Sequence, residues 1–185
     1  MVAADEQQLI LQVKDGNHGA FRVLVERHMK QAYNVAYNFV NDHDEAEDIA
    51  QESFIRIYHA IGSFRNEAGF GTWLYRIVTN LSLNRLRQKK YITRIDPIEM
   101  DAFMSNALTP IDEHHRRDMH ALIEHALHEL PTLQRAVVIL RHLNGLSTKQ
   151  VSTILRCSEG TIKTHLHRGI KKMKVKLNMV KHELV

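Results

Sequence analysis

Residues 146–173 read LSTKQVSTILRCSEGTIKTHLHRGIKKM, and the spacing of capping and apolar residues in this stretch decides the fold class. Ser147 is placed to cap a short helix over residues 148–155, which buries Val151, Ile154 and Leu155. Arg156, Cys157 and Ser158 make a tight turn. A longer helix opens at Ser158-Glu159-Gly160-Thr161, and its inward stripe is Ile162, Leu166, Ile170, Met173, Leu177 and Val180, at four- and three-residue steps. Short helix, tight turn and longer helix form the helix-turn-helix pattern. The face opposite the stripe carries Lys163, Thr164, His167, Arg168, Lys171 and Lys174. In this motif the start of the second helix reaches base edges in the major groove, while cations and helix N-termini meet phosphates. Lys163 and Thr164 are therefore placed for base edges, and Arg168 and Lys171 for bases or phosphates. A surface helix with solvated lysines is the plainer alternative.

Working outward, Leu122, Ile123, Ala126, Leu127 and Leu130 share one face of a helical set that begins near Arg116. Pro131 suits the first position of the next helix, with Leu133, Val137 and Leu140 inward. In the first half, Phe21, Leu24, Val25, Met29, Ala32, Val35, Ala36 and Phe39 mark a long amphipathic helix. Asp42 or Asp44 can cap the next one, which carries Ala46, Ile49, Ala50, Phe54, Ile57, Tyr58 and Ile61 inward and ends at Gly62. Residues 63–71 read as a loop. Thr72 then caps a helix through Trp73, Leu74, Ile77, Val78, Leu81 and Leu86. Pro97, Pro110 and the loss of period after Lys90 mark a linker with little helix of its own. The expected architecture is all-α: two small helical domains, 1–90 and 116–185, joined by a flexible linker over 91–115, the second domain a helix-turn-helix.

Charge is unevenly distributed, although the formal net charge is only +4. Asp42, Asp44, Glu45, Glu47, Asp48 and Glu52 form an acidic run free of Lys and Arg. Arg65, Arg76, Arg85, Arg87, Lys89 and Lys90 dominate residues 57–90, and residues 160–182 hold cations and no acid. One acidic and two basic surfaces imply two anionic contacts and one cationic partner; solvated helix faces would look similar. Apolar runs fall far short of the ~20 residues that cross a bilayer, and the acidic start lacks the order of a signal peptide. The chain reads as cytoplasmic, without membrane contact of its own. Cys157 is the only cysteine, so no disulfide forms within the chain. A small buried thiol is the reading of Cys157, redox sensing the alternative.

The first half separates the many helix-turn-helix regulators from one another. Asp48-Ile49-Ala50-Gln51-Glu52-Ser53-Phe54-Ile55-Arg56-Ile57-Tyr58, Phe64-Arg65, Thr72-Trp73-Leu74-Tyr75-Arg76-Ile77 and Asn80 resemble region two of the sigma factors of RNA polymerase. Leu130-Pro131 through Arg141, Gly145-Leu146-Ser147 and Gly160-Thr161-Ile162-Lys163 are similar to region four. With these two regions alone, the chain resembles the extracytoplasmic-function (ECF) group. That resemblance implies an alternative sigma factor that binds core RNA polymerase and promoter DNA, both duplex and melted strand, and answers to an anti-sigma factor. It implies core polymerase binding by Asp48, Gln51, Glu52 and Phe54, and minus-ten recognition by Arg65, Asn66, Phe70, Tyr75, Arg76, Asn80 and Asn84. It implies minus-thirty-five recognition by Lys163, Thr164, His167, Arg168 and Lys171. Asn can meet a base edge, an aromatic face can stack a base, and cations can follow the backbone. Phe64 and Trp73 read as core packing in preference to base contact, and Arg56 as a phosphate contact or a solvated charge. Gly169 departs from the family, at a helix cost of ~1 kcal/mol against Ala, as do His165 and His167.

No enzyme, cofactor or metal is expected. The rival enzyme reading rests on His28, His43-Asp44 and His59, which faintly suggest an HD-type metal phosphohydrolase, but nothing in their spacing enforces convergence. His114, His115 and His120 fall in or beside the linker. A stand-alone regulator would fit the C-terminal motif and leave the run from Asp48 to Asn80 without a purpose. No Gly-rich phosphate loop or nucleophile elbow appears.

Overall fold

The structure, a computed structural model, describes residues 2–95 and 122–183, with side chains over 5–89 and 122–178. Every regular element among them is helical. The order is α1 (Val2–Lys14), α2 (His18–Val40), α3 (His43–Ala60), a 3-10 turn (Ile61–Ser63) and α4 (Phe70–Ile95). After these come α5 (122–128), α6 (Thr132–Val138), a π-helical turn (Ile139–Leu143), α7 (Thr148–Leu155) and α8 (Glu159–Glu183).

Local chemistry sets most of the helix starts. The Asn17 side chain accepts from the Ala20 amide at 3.1 Å, and Asp42 from the Glu45 amide at 2.9 Å. Asp44 and Glu45 follow in the first turn of α3, where the helix dipole favours acids. Ser147 and Gln150 form a reciprocal capping box, with bonds of 3.2 and 2.8 Å. Ser158 caps α8 by accepting from the Thr161 amide at 3.1 Å. α7 ends at Arg156, whose φ of 54° is left-handed and turns the chain sharply into α8.

α2 packs against α3 and α4, and α1 lies on α2. Leu24, Phe39, Ile49, Ile57, Phe70, Leu74 and Val78 are fully buried at the centre, each side chain contributing ~1.5–3 kcal/mol. Ala32, Ala36, Ala46 and Ala50 are also buried, and their small size lets α2 and α3 lie close together. In the second half α6 packs on α8, and the π turn carries the chain away through the Asn144 amide, which donates to Ile139 O at 3.0 Å. α7 rests on α8 and on α4.

Several boundaries differ from the sequence reading. α1 was not anticipated; its apolar set is small, and it is Ile10 and Val13 that bury it against α2. α4 begins at Phe70, ahead of Thr72, because Phe70 itself enters the core. It continues past Lys90 to Ile95, so the first residues of the expected linker are helical. The rest of that linker, the start of the second helical set at Arg116, and His114, His115 and His120 lie outside the described residues. Tyr58, expected inward, is partly exposed and covers Phe21, with ring centroids 4.9 Å apart.

Gly169 reverses its expected meaning. A Cβ there would stand 2.8 Å from Val138 Cγ2 and 3.6 Å from Gln134 Cβ. The glycine is a packing requirement of the α6–α8 contact, which outweighs its weak helix propensity. At the α5–α6 junction, Arg135 donates to the His128 carbonyl, and its guanidinium lies 3.3 Å from His128 Nδ1. Burial, with the Arg135 charge beside it, lowers the His128 pKa to about 4. Burial also lowers the pKa of Arg135. No helix among the described residues is long and apolar enough to cross a membrane.

Candidate nucleic-acid interface

The loop between the 3-10 turn and α4 forms a concave surface. Asn66 (φ 57°) and Gly69 (φ 77°) adopt left-handed conformations that bend the loop back onto α4. A cavity of about 260 Å³ opens between them, lined by Phe64, Arg65, Asn66, Glu67, Trp73 and Arg76. Phe64 and Trp73 stack with centroids 4.6 Å apart and planes at 21°. Both rings pack against the core and also face the cavity, so packing and lining coincide in them. Thr153 of α7 also lines the cavity.

Arg65 and Asn66 are exposed and Arg76 is half-buried. Asn80 and Asn84 are exposed, one and two turns beyond Arg76 on the same face of α4, so the polar track leaves the cavity along the helix. Arg87, read from the sequence only as part of the basic run over 57–90, is exposed and extends this face at a three-residue step from Asn84. Phe70 and Tyr75 do not belong to the track. Phe70 is 1% exposed and packs against His28 and Phe64, and Tyr75 is 7% exposed. The Tyr75 hydroxyl accepts from Gln31 Nε2 at 2.9 Å, which fixes the phenol in the interior. Neither ring can stack on a base in this arrangement.

On α3, Asp48 and Gln51 are exposed and Glu52 is half-buried. Glu52 accepts from both Arg56 Nε (3.0 Å) and Nη2 (2.6 Å), so Arg56 balances acid on its own helix. Phe54 is 4% exposed and belongs to the core, contrary to its expected place on the contact face. Ile55, at 58% exposure, stands on that face in its stead. Positions 48, 51, 52 and 55 follow helical spacing, a signal present in the sequence and passed over.

On α8, Lys163, Thr164, His167, Arg168 and Lys171 are all exposed and share one face. The Thr164 hydroxyl donates to Gly160 O at 3.0 Å and keeps its acceptor capacity. Ile162 is fully buried beneath them, with Leu166, Ile170 and Met173 partly buried along the same stripe. The N-terminus of α8 and this cationic face together suit a polyanion.

The histidines of the rival reading have local partners. His28 lies 2.8 Å from Glu6 and 3.1 Å from Gln31. His43 contacts the Tyr33 hydroxyl and the Tyr37 ring. Burial, and then the Glu124 charge, raise the Tyr37 pKa. Among the described residues no three His, Cys, Asp or Glu side chains converge as a metal site.

Comparison with known proteins covers both halves. Residues 24–91 match the family model described as Sigma-70 region 2, and residues 120–173 match Sigma-70, region 4. The chain is 35% identical over 168 residues to the ECF RNA polymerase sigma factor SigW of Bacillus subtilis, covering 86% of this chain and 90% of that protein. It is 32% identical to the RNA polymerase sigma-H factor of Pseudomonas aeruginosa, covering 89% of each. Among solved structures, CnrH in complex with the cytosolic domain of CnrY superposes with a TM-score of 0.72 at 24% identity, covering 94% of this chain and 97% of that one. The sigma factor RpoE, in complex with the anti-sigma factor NepR from Bartonella quintana, superposes with a TM-score of 0.66 at 22% identity. Here the coverage is 85% of this chain and 96% of that one. At these identities the structural likeness speaks for the fold alone.

Proposed function

The chain belongs to the sigma-70 family, in its ECF group, and from this membership we propose a division of labour among its three surfaces in directing core RNA polymerase to promoters. The α3 face, with Asp48, Gln51, Glu52 and Ile55, meets a basic, partly apolar surface of core polymerase. Charge complementarity there speeds encounter, and Ile55 supplies the apolar anchor. The α8 face reads the minus-thirty-five element as duplex, with Lys163 and Thr164 at base edges and His167, Arg168 and Lys171 at bases or phosphates. The loop cavity takes an unpaired base of the minus-ten element, and Arg65, Asn66, Arg76, Asn80 and Asn84 follow the melted strand.

The cavity carries this reading. It joins a stacked aromatic wall (Phe64 and Trp73) to cations and an amide, and leads onto a polar track along α4. A pocket that binds an extruded base offsets part of the free energy of unpairing. A duplex-only DNA reader has no use for such a pocket. The chain contributes recognition and melting, and catalyses no reaction of its own. Work on polymerase places it in the cytoplasm. We further assign its control to an anti-sigma factor that covers the polymerase-binding face. RpoE from Bartonella quintana, a sigma factor of similar fold, was solved in complex with the anti-sigma factor NepR.

Adding the purified chain to sigma-free core polymerase on a genomic template library tests the reading. The expected result is a set of discrete starts that share two spaced upstream elements. Absence of initiation and of a stable complex with core would leave a stand-alone DNA-binding regulator. For the anti-sigma factor, the chain purified from unstressed native lysate should bring down an inhibitory protein. An active, partner-free chain would remove that part of the reading.

A further inference from the structure

Residues 65–68 make no bond to another part of the chain among the described hydrogen bonds. On either side, the Phe64 amide donates to Ile61 O at 3.0 Å and the Trp73 amide to Gly69 O at 3.2 Å. The loop therefore has few internal restraints at its tip. One bond reaches it from outside α3 and α4: Lys14 Nζ donates to the Phe64 carbonyl at 2.6 Å. Lys14 is the last residue of α1, a helix that precedes the matched segment beginning at residue 24. α1 is fastened to α2 by buried Ile10 and Val13, by Asp5 with Arg27 at 2.7 Å, and by Glu6 with His28 at 2.8 Å. The ring of His28 lies against Phe70, 4.9 Å between centroids, at the start of α4.

We propose that Lys14 is a positioning residue for minus-ten recognition: its ammonium holds the Phe64 carbonyl and so sets the loop that captures the base. Lys14 lines the cleft between α1 and the loop, together with Arg65 and Asn66, and does not line the Phe64–Trp73 cavity. It acts on DNA through the loop. A charged donor to a carbonyl in a partly buried place is among the stronger hydrogen bonds. The proposal rests on the reading of the cavity as the base-capture site.

The test uses holoenzyme assembled with core polymerase and Lys14→Met, which keeps the aliphatic stem, beside Lys14→Arg, which keeps a donor. Binding is measured to a single strand carrying the minus-ten element found by start mapping, and to the same strand with each base in turn made abasic. For wild type, one abasic position should cost much of the affinity. Lys14→Met should weaken the intact strand about tenfold, leave that abasic strand unchanged, and bind core normally; Lys14→Arg should recover most of the loss. Equal weakening of intact and abasic strands would make Lys14 a general cation, and no weakening would make it a helix-end charge; either overturns the proposal. Should wild type show no abasic penalty anywhere, the cavity reading itself falls, and this assignment with it.

Discussion

Successive residues on a helix point about 100° apart, and Phe54 and Ile55 show the consequence on α3, where one side chain is buried in the core and the next faces solvent. Phe54→Ala should destabilise the fold by ~3–5 kcal/mol, through lost burial and the cavity left behind. Ile55→Asp should leave thermal unfolding nearly unchanged and weaken core polymerase binding at least about tenfold, as loss of an interface anchor does. Melting curves with a polymerase-binding titration separate the two; equal melting temperatures for both variants would contradict the assignment. Gly169 makes a second case at this scale. Helix propensity alone predicts a gain of ~1 kcal/mol on Gly169→Ala. Val138 stands 2.8 Å from the added methyl and is stiff at χ1, so overpacking at ~1–3 kcal/mol wins. Denaturant unfolding should show a net loss of stability; a gain would mean that α6 moves aside freely.

The α5–α6 junction is an element held by a neutral imidazole. His128 Nδ1 faces the Arg135 guanidinium, and the folded chain keeps the ring unprotonated down to about pH 4, against 6.5 for an ordinary histidine. Between those values the unfolded chain binds the proton and the folded chain does not, so stability from this site falls as pH drops from 6.5 toward 4. Above pH 6.5 the contribution is complete. His128→Asn keeps an acceptor for Arg135 and removes the titration. Urea unfolding at pH 7.5 and pH 5 should therefore show a smaller acid loss for the variant than for wild type. An identical loss would place the titration elsewhere. α8 is an element of a different kind, buried along one stripe and cationic along the other. Its apolar contacts fix the angle at which the exposed face meets a groove.

At the scale of the molecule, the two surfaces proposed to meet DNA lie on different halves of the chain and carry different chemistry. Substitutions on α8 should weaken an upstream duplex and leave a melted downstream strand unaffected; substitutions at Arg65 and Arg76 should do the reverse. Arg168→Ala should also reduce the salt slope of duplex binding by about 1 if Arg168 meets a phosphate, and should relax the preference at one base pair if it meets a base edge. Binding of holoenzyme to separate duplex and single-stranded probes over a range of salt measures both effects. Variants that weaken both probes alike would show that the surfaces do not act separately.

The sequence by itself determined the helix-turn-helix almost to the residue. Ser147 with Gln150, and Ser158 with Thr161, are caps that act within a few residues, and a four-and-three apolar stripe needs no distant partner to be recognised. It also determined the cationic face of α8 and the all-helical class, and it narrowed the α3 cap to Asp42 or Asp44, between which the structure selects Asp42. Periodicity already placed Phe54 inward, and its expected contact role came from resemblance alone. Only the tertiary structure decided that Phe70 and Tyr75 belong to the interior, because helical period reports which face a residue occupies and not what packs upon it. Gly169 became a packing glycine only when α6 lay across it. The packing of α1 on α2 brings Lys14 to the Phe64 carbonyl, fifty positions away from it in sequence. Capping and amphipathic period are local interactions, readable along the chain; burial, close approach and long-range hydrogen bonds depend on which elements meet, and folding alone brings those together.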